Sequence, residues 1–272
     1  MRQKRIALIN DITGYSRCSI AAQLPIISAM SIECVFIPTA ILSINTYHSN
    51  YFFDDYTSKM NDYINTYKQI NLEVDGIVTG FLGSSKQIEI VIDFIKTFKQ
   101  KDTFVLIDPV MGDHGKLYKT YTPQMQAKMR ELIPYATILT PNLTELYALL
   151  DIEYPSEIPS YDELEKMCKC LVDKGAKMIV VTGINVKNKL INFVYEEGKK
   201  YHIVEVEKIG DERSGTGDVI SSVIAGKYLL EQDFYKSVEA AANFASKCIK
   251  YSQELGVDNH LGLCFEPFLK EL

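Results

Sequence analysis

Short apolar runs rich in β-branched residues alternate with longer stretches whose apolar positions recur every three or four residues, along most of the chain. The runs Arg5–Ile9, Cys34–Leu42, Gly76–Thr79, Phe104–Ile107, Ala136–Leu139 and Met178–Val181 predict strands. Helical spacing predicts helices over Ser16–Met30, Asp54–Ile70, Ser84–Lys99, Pro123–Leu132, Asn142–Leu150 and Tyr161–Lys174. Two more are expected near the end, over Thr216–Leu230 and Phe234–Gln253. In Ser84–Lys99, for example, Ile88, Val91, Ile92, Ile95 and Phe98 share one face. Leu190–Tyr195 and Tyr201–Val206 flank Glu-Glu-Gly-Lys-Lys and predict an antiparallel hairpin. Continuous apolar strands between helices imply an α/β fold: a three-layer αβα sandwich with a mostly parallel central sheet, mixed at one edge by the late hairpin. With no linker, internal repeat or low-complexity stretch, residues 1–272 are expected to form a single domain.

Composition narrows the function classes. Of 272 residues, 47% are hydrophobic and 24% charged, enough for a sizeable core. A net charge of −6 without a basic run argues against nucleic acid or an acidic membrane surface as partner. No stretch approaches the roughly 18–20 apolar residues of a membrane span. The four-residue apolar run Ile6–Ile9 is too short for a secretion signal, so a cytoplasmic protein is expected. The six cysteines are dispersed and form no C-x-x-C pair, which predicts reduced and mostly buried thiols.

In a parallel sheet a ligand binds beyond the carboxyl ends of the strands. Polar residues gather there: Asp108, Thr140 and Thr182, the last followed by Gly183, each close a predicted strand. The sharpest signal is Gly215-Thr216-Gly217-Asp218, just before a helix rich in small residues. Glycines turn the backbone tightly and expose amide groups, and the helix tip adds partial positive charge, so phosphate oxygens are favoured there. Asp218 in the first turn stands ready to take a proton from an attacking hydroxyl. The bland alternative is a carboxylate satisfied by the helix dipole. Thr140-Pro141-Asn142-Leu143-Thr144-Glu145 reads as a helix cap whose Asn142 and Glu145 form a capping box, or as a water-mediated Mg²⁺ site. Asp108-Pro109-Val110-Met111-Gly112-Asp113 ends in an oxygen-rich loop fit for a cation, with His114 and Lys116 close behind.

D-P-V-M-G-D, T-P-N-x-x-E and G-T-G-D, in this order and spacing, resemble the ribokinase-like superfamily, and within it the pyridoxal/pyridoxine/pyridoxamine (vitamin B6) kinases. The likeness spans nearly the whole chain. It implies a kinase using ATP and Mg²⁺, with K⁺ as a further cation, on the 5′-hydroxymethyl group of a B6 vitamer, and a homodimer. By motif, Asp218 resembles the catalytic base, and Gly215, Thr216 and Gly217 the anion hole. Asp113 and Glu145 resemble the metal–phosphate region, and Asp108, Thr140, Asn142, Thr182 and Gly183 the nucleotide neighbourhood. On the substrate side Asn10 stands where these kinases commonly carry a Ser that meets the pyridine ring. Thr46 resembles the pocket residue of their S-N-H-T segment, and Phe81 replaces a Tyr after T-G. The hydroxymethylpyrimidine (phosphate) kinases share the fold and reaction. They usually read G-T-G-C at the anion hole and G-S-D-P-S-G-G-x-G after the first strand, whereas this chain has Asp218 and Asn10-Asp11-Ile12-Thr13-Gly14-Tyr15. A non-catalytic nucleotide or vitamin sensor on the same fold is a third reading, opposed by the filled chemical positions.

Overall fold

The computed structural model describes residues 2–118 and 121–272. The chain opens with strand β1 (Arg5–Tyr15), helix α1 (Ser19–Ala29), β2 (Glu33–Ile44), β3 (Phe53–Asp55), α2 (Thr57–Gln69), β4 (Gly76–Thr79), α3 (Ser85–Phe98) and β5 (Phe104–Ile107). A small hairpin, β6 (Gly112–Asp113) and β7 (Lys116–Leu117), precedes α4 (Pro123–Met129), β8 (Ile138–Leu139), α5 (Leu143–Leu150) and α6 (Tyr161–Asp173). Then come β9 (Met178–Val186), β10 (Lys189–Glu196), β11 (His202–Glu207), α7 (Thr216–Glu231) and α8 (Phe234–Glu254).

The main sheet has the order β11-β10-β9-β8-β5-β4-β1-β2-β3. The strands from β9 through β2 in that order pair in parallel, while β10, β11 and β3 run antiparallel to their neighbours. Side chains alternate between two buried faces. Ala7, Ile9, Ile77, Val105 and Ile107 pack with α2 to α6, while Ile6, Leu8, Val78, Phe104 and Leu106 pack with α1, α7 and α8. Period-two alternation is thus hidden in the sequence, because both faces are apolar. Among the described residues no helix is long and apolar enough to cross a membrane. Cys18, Cys168, Cys248 and Cys264 are buried and all six thiols are free. Cys168 is buried on α6 while Cys170 is exposed.

The expected elements are present, with instructive differences. β1 does not stop at Ile9 but runs to Tyr15, past a register shift between Asn10 and Ile12, alongside an equally long β2. The helix expected from Ser16 therefore starts at Ser19, and the one expected from Asp54 starts at Thr57, because Asp54 and Asp55 belong to β3. The hairpin of β10 and β11 falls where the sequence places it.

Chain order decides where a ligand fits. From β1 the chain moves to β2 on one side, then returns across β1 to β4 on the other. The helices after β1 and β4 consequently cover opposite faces. The carboxyl ends of β1 and β4 thus form the switch point at which such sheets hold ligands.

Candidate active site

Asn10 near that end of β1, Gly80 just after β4, Asp108 just after β5, Thr140 just after β8 and Thr182 within β9 all lie along this edge. The tip of α7 reaches it from one face and the tip of α5 from the other.

The α7 tip is built for close approach. Gly215, its N-cap, adopts the left-handed region at φ 73°, and a Cβ there would sit 2.1 Å from the Arg17 carbonyl oxygen. Only glycine combines that conformation with that contact. No side chain caps α7, and the Gly217 and Asp218 amides find no backbone acceptor among the described residues. Two donors at a helix tip are therefore free for an anion. Thr216 turns its hydroxyl back to the Arg213 carbonyl at 2.8 Å, which fixes the turn rather than offering the hydroxyl to a ligand.

Asp218 is half-buried and held by two donors. The Asn10 side-chain amide donates to Oδ1 at 3.0 Å and the Ser19 backbone N–H to Oδ2 at 2.8 Å. Burial, reinforced by the nearby Asp11 carboxylate, pushes its pKa up to about 6. The two hydrogen bonds favour the ionised form and oppose that shift. At neutral pH the group is then a carboxylate with more proton affinity than a solvated one, suited to general base work. Asp11, buried on β1, accepts from the Thr13 hydroxyl at 2.7 Å, and burial raises its pKa as well.

Asp108 faces the same cradle: a Cβ on Gly217 would lie 3.8 Å from its Oδ2. Burial first, then the Asp218 charge, raises its pKa well above the ordinary range. Glu145 is buried in the first turn of α5. Its Oε2 accepts from Asn142 N–H at 2.9 Å and its Oε1 from Met111 N–H at 3.0 Å, while Asn142 Oδ1 accepts from Glu145 N–H at 2.9 Å. The capping box read from the sequence is therefore present, and it also anchors the loop after Asp108. Burial, then the neighbouring Asp108, raises the Glu145 pKa. Asn142 further donates to the Gly112 carbonyl at 2.8 Å and bridges to Thr182, so these residues form one cluster. Gly183 beside them has open space around its Cα, and Thr140 Oγ1 is buried without a partner.

Among the described residues, the one group of three acidic or imidazole side chains with ligand atoms close enough to share a cation is exposed Asp113, His114 and Glu212. Asp108, Asp113 and Glu145 form no ion pair with lysine or arginine among the described residues. Oxygen ligands and uncompensated negative charge suit Mg²⁺.

The substrate-side and hairpin residues are placed as follows in the fold. Thr46 is exposed on the loop after β2. Phe81 is half-buried after β4, and its N–H donates to Asn10 Oδ1 at 2.8 Å. Asn10 itself is 1% exposed, with its amide directed at protein groups. Asp113 is exposed on the β6–β7 hairpin, whose next residue His114 meets Glu212 across the mouth, Nε2 to Oε2 at 2.7 Å. Lys116 is exposed on the same hairpin. Ser19, Gln23, Asp11, Gly80 and Glu212 were not legible as site residues. Ser19 acts through its backbone, and Gln23 and Glu212 are brought in by tertiary contact alone. Asp11 did carry a signal, as a second polar residue after a predicted strand.

The family model described as phosphomethylpyrimidine kinase matches residues 18–262. A hydroxymethylpyrimidine/phosphomethylpyrimidine kinase from Aquifex aeolicus is 28% identical over 67% of this chain and 70% of its own length. A pyridoxine kinase from Bacillus subtilis is 29% identical over 70% of each. The chain spans only about half the length of plant and fission-yeast relatives that it also matches, at 47% and 53%. A crystal structure from Bacteroides thetaiotaomicron VPI-5482, assigned by name to the phosphomethylpyrimidine kinases, superposes with a TM-score of 0.97 at 35% identity, covering 100% of this chain and 94% of that one. A second crystal form of that protein contains pyridoxal. A pyridoxal kinase from Staphylococcus aureus in complex with AMP-PCP and pyridoxal shares the fold at 19% identity and TM-score 0.78, over 92% and 89% of the chains.

Proposed function

Because the chain belongs to the phosphomethylpyrimidine kinase family, we propose that it transfers the γ-phosphoryl group of ATP to the 5′-hydroxymethyl group of a B6 vitamer, with Asp218 as the base. The observation that carries this reading is the α7 tip. Two free backbone amides converge beside a carboxylate of raised proton affinity, at the switch point of the sheet. Phosphoryl transfer needs little covalent help from the protein, only positioning and charge stabilisation. The Gly215-Thr216-Gly217 turn, through the free amides of Gly217 and Asp218, holds the transferring oxygens, the Asp218 carboxylate takes the hydroxyl proton, and the edge from Asp108 to Gly183 receives the nucleotide. Asp113 and Glu145, with Asp108, are the residues that would hold Mg²⁺, which when bound neutralises phosphate charge. K⁺ activation, a single domain over residues 1–272, a cytoplasmic location and a homodimer belong to the same reading.

The vitamer assignment is supported by Asp at position 218 and by the 35%-identical neighbour crystallised with pyridoxal. The second reading, a hydroxymethylpyrimidine kinase of thiamin synthesis, is favoured by the family description and the Aquifex relative. A phosphorylation panel with MgATP separates them. Pyridoxal, pyridoxine or pyridoxamine should give the highest kcat/KM; a higher value for hydroxymethylpyrimidine would reverse the assignment.

A further inference from the structure

The Asn10 side chain makes four hydrogen bonds, all within the protein. Its Oδ1 accepts from the backbone N–H groups of Asp11 at 2.9 Å and Phe81 at 2.8 Å. Its Nδ2 donates to Gln23 Oε1 at 3.2 Å and Asp218 Oδ1 at 3.0 Å. Two backbone donors fix which end of the amide carries oxygen, so the NH₂ group must face the carboxylate; a flipped amide would set NH₂ against two N–H donors and oxygen against the Gln23 and Asp218 oxygens. Both amide hydrogens and both lone pairs are then in use, and at 1% exposure no face is left for a substrate ring.

Gly80 explains how Asn10 fits. A Cβ on Gly80 would lie 2.3 Å from Asn10 Nδ2, 2.4 Å from Cγ and 2.6 Å from Oδ1. Gly80 is not among the residues of positive φ, so its backbone needs no glycine. The space taken by the Asn10 amide is the reason for it. Strand β1 supplies the amide, the turn after β4 makes room, and the Phe81 N–H next to that room completes the grip. All of this lies at the switch point, directly beneath Asp218.

We infer that Asn10 and Gly80 act as a positioning pair: Asn10 orients the Asp218 carboxylate, and Gly80 gives Asn10 its room. This rests on Asp218 being the base. It departs from the role the family resemblance implies for position 10, a contact with the substrate ring.

The test is the pH dependence of kcat/KM for the best vitamer of the panel at saturating MgATP. It is measured on the full chain for wild type, Asn10→Ala, Gly80→Ala, the double variant and Asp218→Asn. Losing a hydrogen bond to the charged form raises a carboxyl pKa, so in Asn10→Ala the acid limb should move to higher pH by about one unit. Above the limb, kcat should fall about 10-fold with the KM for ATP unchanged, as for a misplaced base. Gly80→Ala, by displacing Asn10, should move the limb the same way. In the Asn10→Ala background the Gly80 methyl has space, so the double variant should be no worse than either single variant, a marked failure of additivity. Asn10→Ser, milder and retaining one donor, repeats the limb measurement should Asn10→Ala not fold. An unmoved limb in the Asn10 variants overturns the inference. So does a rise in vitamer KM with the limb in place, which marks Asn10 as a substrate contact, or additive losses in the double variant. If Asp218→Asn keeps more than a third of wild-type turnover, the base assignment itself fails, an outcome distinct from the others.

Discussion

Two helices bring an acid to the same sheet edge in their first turns, yet they treat it in opposite ways. At α5 the tip is closed: Asn142 and Glu145 cap each other, and the remaining Glu145 oxygen holds the Met111 amide. At α7 the tip is open: Gly215 supplies the cap position without a side chain, two amides lack acceptors, and Asp218 is held from outside the helix by Asn10 and Ser19. A first-turn acid thus does not define a role. What fills the helix-end amides does. A tip satisfied by its own side chains serves the fold, whereas a tip left for an incoming anion serves chemistry, and its carboxylate must be steered by other elements.

The comparison is sharpest where the two acids are made neutral. Asp218→Asn should lower kcat by about 100-fold or more, the range for a lost general base, with ATP binding retained in calorimetry. Gly215→Ala, which forces a Cβ against the Arg17 carbonyl and displaces the cradle, should lower kcat by about 100-fold, as when an oxyanion donor is lost. Glu145→Gln should act chiefly on stability. An NH₂ group would replace one acceptor of a buried backbone N–H, at a cost of about 1–3 kcal/mol in denaturant unfolding, together with a raised Mg²⁺ requirement in activity titrations. An unchanged Mg²⁺ titration would leave Glu145 a purely structural cap. A kcat loss as large as that of Asp218→Asn, with stability intact, would erase the difference between the tips.

The smallest effect is on the ligand-free protein. Asp108, Asp218 and Glu145 have folded pKa values raised above their unfolded ones, so the folded state holds more protons between those values. Stability contributed by their protonation is therefore lost as pH rises through that window. Melting temperature should fall by a few degrees between pH 5.5 and pH 8 without Mg²⁺, by roughly 2–4 °C for each kcal/mol lost. Added Mg²⁺ should reduce the difference, and a flat profile would argue against a buried acid cluster.

Much of this was legible in the residues because it is local. β4 and β5 follow from short apolar runs bounded by polar residues, and the Asn142–Glu145 box from its spacing. What stayed hidden depends on distant partners. The extension of β1 to Tyr15 interrupts its apolar pattern with Asn10 and Asp11 and passes a register shift, so periodicity ends at Ile9 while the strand continues. Two-residue strands such as β6 and β7 are shorter than any pattern. The G-T-G-D segment showed an anion site with an acid, but nothing local says that Asn10, 208 residues earlier, holds that acid. Nor does it say that His114 and Glu212 meet across the mouth of the site.

The role of Asp218 is tested most directly by comparing the pH dependence of kcat/KM in wild type with that of the residual activity of Asp218→Asn, vitamer varied at saturating MgATP. Wild type should lose activity on acidification with an apparent pKa near 6, and the variant's residual rate should show no such limb. A limb that persists unchanged in Asp218→Asn would assign the proton transfer to another group and contradict the base assignment.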